Sequence, residues 1–257
     1  MVTILHEGDY HSGHRLGLTP PRLVAPEFEP ILGKLWAWRA KELAAVGKVD
    51  IHILDGDLVD GPGFKGSMAH LTTNMDEQAE MAIEAVEMVK AKHRFFTYGS
   101  DYHVVQHANT EARIARHFGS EIRDTVLLKA GGKRFNFRHF VGRSDIERGQ
   151  FTQDARELTR ALIREALDGE EAADIFGRSH VHYWSRVDVK DRTVYTSPAW
   201  QLPLDIPGST YPRKLRTQYY DVGYTLIQID QHGEVYIRPR RLKVSAEFPR
   251  RYECPAL

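Results

Sequence analysis

The segment Ile51–Gly61, IHILDGDLVDG, constrains the fold of this chain more than any other. Ile51, Ile53 and Leu54 make the apolar run of a buried strand, which ends in Asp55, Asp57 and Asp60 with Gly56 between the first two. Carboxylates at the end of a core strand are costly to bury unless a cation or hydrogen-bond donors satisfy them. Asp also serves an ordinary purpose in turns and as a helix N-cap. Taken alone, the two readings balance.

The same ending recurs along the chain. Val2–Leu5 reads as a short core strand broken by His6 to His11, and Asp9 and His11, two apart, point the same way in extended backbone. Glu27 to Val46 carries Phe28, Ile31, Leu32, Leu35, Trp36, Leu43 and Val46 at largely helical spacing, with Trp36 and Trp38 read as core. After a glycine-rich loop, Asn74 and Glu77 have capping-box spacing ahead of a second apolar stripe through Met75, Ala82 and Val89. His93–Tyr98 is a strand ending in Gly99-Ser100-Asp101-Tyr102-His103, and Thr110–Phe118 a short helix. Val126–Leu128 and Arg134–Phe137 form a hairpin across Gly131-Gly132, whose second arm runs into His139. Thr152–Leu167 is a helix, and Ala173–Phe176 a strand that terminates in Gly177-Arg178-Ser179-His180-Val181-His182. The remainder is β-rich. Alternating strands and helices followed by strands predict one layered α/β domain over residues 1–257.

Five strand ends thus carry metal-type residues: Asp9/His11, Asp57/Asp60, Asp101/His103, His139 and His180/His182. Each alone has an ordinary explanation, but their recurrence on successive elements does not, because open α/β sheets build sites where strands end. Composition narrows the chemistry. Lys plus Arg and Asp plus Glu are 35 each, so no global basic field advertises nucleic acid. The single cysteine, Cys254, excludes an internal disulfide and thiolate metal sites, whereas 13 histidines are more than a neutral chain needs. Nitrogen and oxygen ligands without sulfur suit Mn, Fe, Zn or a related ion. No window approaches transmembrane length, and the expectation is a soluble, cytoplasmic protein without membrane contact.

In this order, G8-D9-Y10-H11, G56-D57-L58-V59-D60, G99-S100-D101-Y102-H103, H139 and S179-H180-V181-H182 resemble the motif series of the calcineurin-like metallophosphoesterases, and G13-H14-R15-L16-G17-L18-T19-P20-P21 resembles the loop of phage- and prokaryote-type members. The resemblance spans roughly the first 185 residues, and the final β-rich segment fits the family's second sheet. It implies a four-layer αββα sandwich with mixed sheets, and a dinuclear enzyme that hydrolyses phosphate mono- or diesters by attack of a metal-bridging hydroxide. It also implies two divalent ions, Mn2+ or else Fe, Zn or Ni. By the same resemblance Asp9, His11, Asp57 and His182 hold the first ion. Asp57, His139 and His180 hold the second, with Ser100 or Asp101 as further candidates. Asp60 orients a ligand from behind, and His103 contacts the phosphoryl group or protonates the leaving group. Arg143 and Arg178, near two ligand loops, are candidates for phosphate contact, and Asp55 is left as a structural bystander.

Two departures stand out. Ser100 occupies the place where the family has a metal-ligating Asn, with His103 three residues on, and Ser179 replaces a Gly. An alternative register of the last motif places Gly177 and Arg178 on the family's Gly and first His; the register through His180 and His182 keeps both imidazoles and is adopted. The expected partner is a phosphorylated substrate. A nuclease is the nearest alternative, with Arg238-Pro239-Arg240-Arg241 and Arg250-Arg251 as short basic runs. A catalytically degraded metal-binding scaffold is the rival from another class. A TIM-barrel amidohydrolase ranks low, because its His-x-His pair belongs near the first strand. Natural substrate and oligomeric state are not legible.

Overall fold

A computed structural model describes residues 1–24, 26–62, 69–101, 103, 110–142, 149–168, 172–203 and 220–244 of the chain. Arg143, Cys254 and the Arg250-Arg251 pair lie outside the described residues.

Among the described residues, eleven strands form two mixed sheets. The first contains β1 (Val2–Glu7), β2 (Val49–Asp55), β3 (Ala91–Thr97), β4 (Ile122–Arg123), β10 (Val222–Ile229) and β11 (Val235–Leu242), in the order β11-β10-β1-β2-β3-β4. The second contains β5 (Val126–Ala130), β6 (Lys133–Arg138), β7 (Ile175–Arg178), β8 (Ser185–Val189) and β9 (Arg192–Thr196), in the order β5-β6-β7-β9-β8. β1 to β4 run parallel, as do β6, β7 and β9. Four helices cover the outside: α1 (Glu29–Val46), α2 (Met75–Glu87), α3 (Thr110–His117) and α4 (Gln150–Asp168).

Strand alternation assigns each face. Ile4, Ile51, Ile53, Ile227 and Ile229 of the first sheet pack against Phe135, Phe137, Ile175 and Tyr195 of the second, giving one apolar core between the sheets. Their neighbours of opposite parity, Leu5 and Leu54, meet Leu32 and Leu35 of α1 and Ala82 and Val86 of α2. On the far side Phe176 and Val194 pack under Leu158 of α4. The layer order is therefore αββα, as the sequence resemblance implies.

The local signals account for most element boundaries. Asn74 caps α2, its side chain accepting from the Asp76 N–H at 2.9 Å, and contacts Glu77 side chain to side chain. Gly131 and Gly132 both have positive φ, 55° and 78°, as a two-residue turn between β5 and β6 requires. The final β-rich segment corrects one expectation. Only β8 and β9 join the second sheet; β10 and β11 add to the first, β10 antiparallel to β1 with Ile4 opposite Ile227. Pro239 is tolerated because β11 is an edge strand. No helix among the described residues is long and apolar enough to cross a membrane.

Candidate metal centre

The parallel strands β1, β2, β3, β6 and β7 deliver their carboxyl ends to one edge, and the five ligand-bearing loops meet there. Backbone hydrogen bonds lace them together. Asp9 N–H donates to Gly56 O at 2.9 Å, His11 N–H to Asp57 O at 3.0 Å, and Ser179 N–H to His139 O at 3.1 Å. The approach is so close that two glycines are needed. A Cβ on Gly56 would lie 2.5 Å from Gly99 Cα, and one on Gly99 would lie 2.1 Å from Asp57 Oδ1. Asp9, His11, Asp57, His180 and His182 all have left-handed backbone, with φ between 46° and 73°. Such conformations cost on the order of 1 kcal/mol or more each for a residue with a Cβ and collect at functional sites. Among the described residues, Lys190 in the β8–β9 turn is the one other non-glycine residue with positive φ.

Three groups of ligand atoms result among the described residues, each within 4.8 Å: Asp9, His11 and His182; His11, Asp57 and His103; and Asp57, His139 and His180. Asp9, His11, Asp57, His139 and His182 are buried, while His103 and His180 are partly so. Asp57 and His11 each belong to two groups, so the clusters are contiguous.

Proton positions follow from the acceptors behind each ring. His139 Nδ1 lies 2.6 Å from the Asp55 carbonyl oxygen, which can only accept, so Nδ1 carries the proton. In the neutral ring Nε2 then presents a lone pair to Asp57 Oδ2, 3.1 Å away. His103 repeats this, with Nδ1 2.6 Å from the Asp60 carbonyl and Nε2 3.9 Å from Asp57 Oδ2. His11 Nδ1 faces Asp60 Oδ1 at 3.0 Å, and its Nε2 lies 3.2 Å from His182 Nε2, which in turn is 3.2 Å from Asp9 Oδ1. Acceptors turned toward acceptors in a dry site require either extra protons or a cation between them. Asp9 Oδ1 and His139 Nε2 are buried without a hydrogen-bond partner among the described residues, as groups kept for a cation would be.

Without a cation, protons take that place. Burial pulls the His139 imidazole down, but Asp57 beside it outweighs burial and holds it well above the ordinary histidine range. Burial pushes Asp57 and Asp9 up, yet His139 and His182 respectively bring Asp57 well below the carboxylate range and Asp9 to about 2. His180 is pushed down to about 4 by burial and by neighbouring His139.

Asp60 lies behind the cluster, its carboxylate 3.0 Å from His11 Nδ1 and 2.8 Å from His70 Nε2. Four other residues are placed otherwise than expected. Ser100 faces Asp57 rather than standing free as a ligand: its N–H donates to Oδ1 at 2.7 Å and its hydroxyl approaches both carboxylate oxygens. Asp101 is exposed and joins none of the three groups; the turn closed by His103 N–H to Ser100 O leaves it outside. Arg178 does not face the site. Its guanidinium is buried against α4, where Nε and Nη2 donate to Glu157 and Nη1 to the carbonyls of Asn136 and Gly177. Strand parity explains this, since Arg178 shares the α4-facing side of β7 with Phe176. Asp55 is no bystander. Fully buried between the sheets, it accepts from Thr97 Oγ1 at 2.6 Å and Ser179 Oγ at 3.1 Å, and its Oδ2 lies 3.0 Å from His6 Nε2.

Other members of the site come from the structure. Glu111 of α3 accepts from Leu58 N–H at 2.9 Å and Gly99 N–H at 2.8 Å, tying two ligand loops together, and burial with nearby Asp57 pushes it up to about 7. Its signal in the sequence is a carboxylate on the apolar stripe of α3, in line with Ile114 and Ala115. Beneath Asp9, the Glu7 carboxylate gathers Tyr10, Arg39 and His52 on Oε1 and the Trp200 indole N–H on Oε2, and the Trp200 backbone N–H donates to Asp9 O at 3.0 Å.

No family model and no curated protein sequence matches the chain. Solved structures do resemble it at a distance. Wild-type Vps29 complexed with Zn2+ from Entamoeba histolytica is 15% identical, over 92% of this chain and 97% of that one, with a TM-score of 0.44. Vps29 from Chaetomium thermophilum is 12% identical, over 94% and 95%, with a TM-score of 0.46. A novel archaeal phosphodiesterase is 12% identical, over 92% and 99%, with a TM-score of 0.45.

Proposed function

We propose that this site holds two divalent cations and that the protein hydrolyses phosphoesters, as a member of the calcineurin-like metallophosphoesterase superfamily. One observation carries the reading: His11, His103 and His139 each have Nδ1 against an oxygen acceptor, which turns the Nε2 lone pair of each ring toward the site. Asp9, His11 and His182 would hold one ion and His139 and His180 the other, with Asp57 between them. Two such ions, when bound, activate water and neutralise charge on the phosphoryl oxygens.

The chain's own groups have separate tasks. Asp55 and Asp60 fix the tautomers and ring planes of His139, His103 and His11. Ser100 holds the Asp57 carboxylate in place from the third loop. His103, more exposed than His11, His139 and His182 and tethered at Nδ1, presents Nε2 where a leaving oxygen or phosphoryl oxygen would arrive. Mono- and diesters are both compatible with this donor set.

A second reading, a metal-binding scaffold without hydrolysis, draws on Ser100. Both its donors are directed at Asp57, so among the described residues the third loop offers His103 alone as an additional ligand. Turnover of bis-p-nitrophenyl phosphate and p-nitrophenyl phosphate by Mn2+-loaded protein, with DNA tested beside them, separates the two. The proposal expects hydrolysis that EDTA abolishes. Two bound ions with no hydrolysis of any of the three substrates would establish the scaffold instead.

A further inference from the structure

Phe140 directly follows His139 and is 56% exposed. Its ring centre lies 5.0 Å from that of His180, tilted by 39°, and His180 meets His139 edge-on at 5.3 Å. Single exposed apolar side chains are ordinary on a protein surface. This one is different in position: one side of the ring rests on an imidazole of the Asp57–His139–His180 group, and much of the rest faces solvent. Covering that apolar face is favourable, and what can cover it is whatever hangs from a phosphoryl group seated at the cluster.

We propose that Phe140 is a specificity-determining platform: a planar aromatic group on the phosphoester, aryl or nucleobase, stacks on its open face while the phosphoryl group sits at Asp57, His139 and His180. This rests on the phosphoester reading above and narrows it to substrates bearing an aromatic ester arm. Offset stacking suits a flat π-surface and tolerates its identity. The ring's contact with His180 also supplies the competing explanation, that Phe140 only steadies a ligand; that role would affect every phosphoryl ligand alike.

Phosphonates, which the reaction cannot cleave, make the test independent of turnover. Binding of methylphosphonate, phenylphosphonate and an adenosine phosphonate to Mn2+-loaded protein is measured by titration calorimetry, for wild type, Phe140→Ala, Phe140→Leu and Phe140→Tyr. The wild type should prefer at least one aromatic ligand over methylphosphonate by about tenfold, the scale of one base–aromatic stack. Which aromatic ligand is preferred decides between an aryl and a nucleoside arm. Phe140→Ala and Phe140→Leu should bring the ratio near one with methylphosphonate affinity unchanged, and Phe140→Tyr should keep it. An unaltered ratio in Phe140→Ala, or a parallel weakening of all three ligands, would overturn the platform while leaving phosphoryl binding intact. Failure of methylphosphonate itself to bind would instead remove the phosphoester reading, and the platform with it.

Discussion

Asp57→Asn is the substitution with the most to reveal, because it keeps shape and removes one charge from the middle of the centre. Asp57 is 1% exposed; its Oδ1 takes the Ser100 N–H at 2.7 Å and its Oδ2 lies 3.1 Å from His139 Nε2. Removing one partner of a buried, oppositely charged pair costs about 3–5 kcal/mol. Applied to a cation and its shared carboxylate, that is roughly two to four orders of magnitude in Kd. At a metal concentration of about 100 times the wild-type Kd, each ion stabilises the wild type by about 2.7 kcal/mol. The variant, with Kd raised at least about 100-fold, would gain under about 0.4 kcal/mol per ion from the same expression. At about 2–4 °C per kcal/mol for a chain of this size, the Mn2+-induced rise in Tm should shrink from about 5–10 °C per ion to about 1 °C. Melting with Mn2+ against EDTA, for both proteins, reads this directly. A variant that keeps the wild-type shift would refute the placement of Asp57 between the two ions.

Three further outcomes are expected. His103→Ala should retain bound metal and lose about 100- to 10,000-fold in kcat, the range for a general acid or base; loss of an ion would make His103 a ligand instead. Arg39→Ala strands the fully buried Glu7 carboxylate and should cost about 3–5 kcal/mol by denaturant titration, with Glu7→Gln in the same chain recovering part of it; a cost below about 1 kcal/mol would show that Tyr10, His52 and Trp200 suffice. Asp154, buried beside Ser185, is pushed up to about 6 by burial, so the folded state holds its proton longer than the unfolded one. Its favourable contribution is present below about pH 4 and lost as pH rises through 6, so wild type should fall by about 2–3 kcal/mol relative to Asp154→Asn across that window. A pH-independent difference between the two would contradict it.

The sequence made the site legible because ligand chemistry is local. Asp9 and His11, or His180 and His182, sit two apart at strand ends, and strand ends of parallel sheets converge. Other features depend on which face or which sheet a strand joins. The alternation in Val222–Ile229 marks a strand but not its partner, so its return to β1 was not visible. Arg178 lies close to the ligands in sequence, and parity with Phe176 turns it toward α4. Asp55 shares parity with Ile53 and so enters the space between the sheets, where it meets Ser179 and His6 from elsewhere in the chain. His70 gives no local signal at all, and reaches Asp60 through tertiary packing alone.

The central claim is a pair of cations on either side of Asp57. Anomalous diffraction from crystals grown with Mn2+ tests it in one measurement. Two peaks are predicted, one among Asp9, His11 and His182 and one among His139 and His180, both within bonding distance of Asp57. A single peak, or none, with the three imidazoles still facing an empty centre, would contradict it.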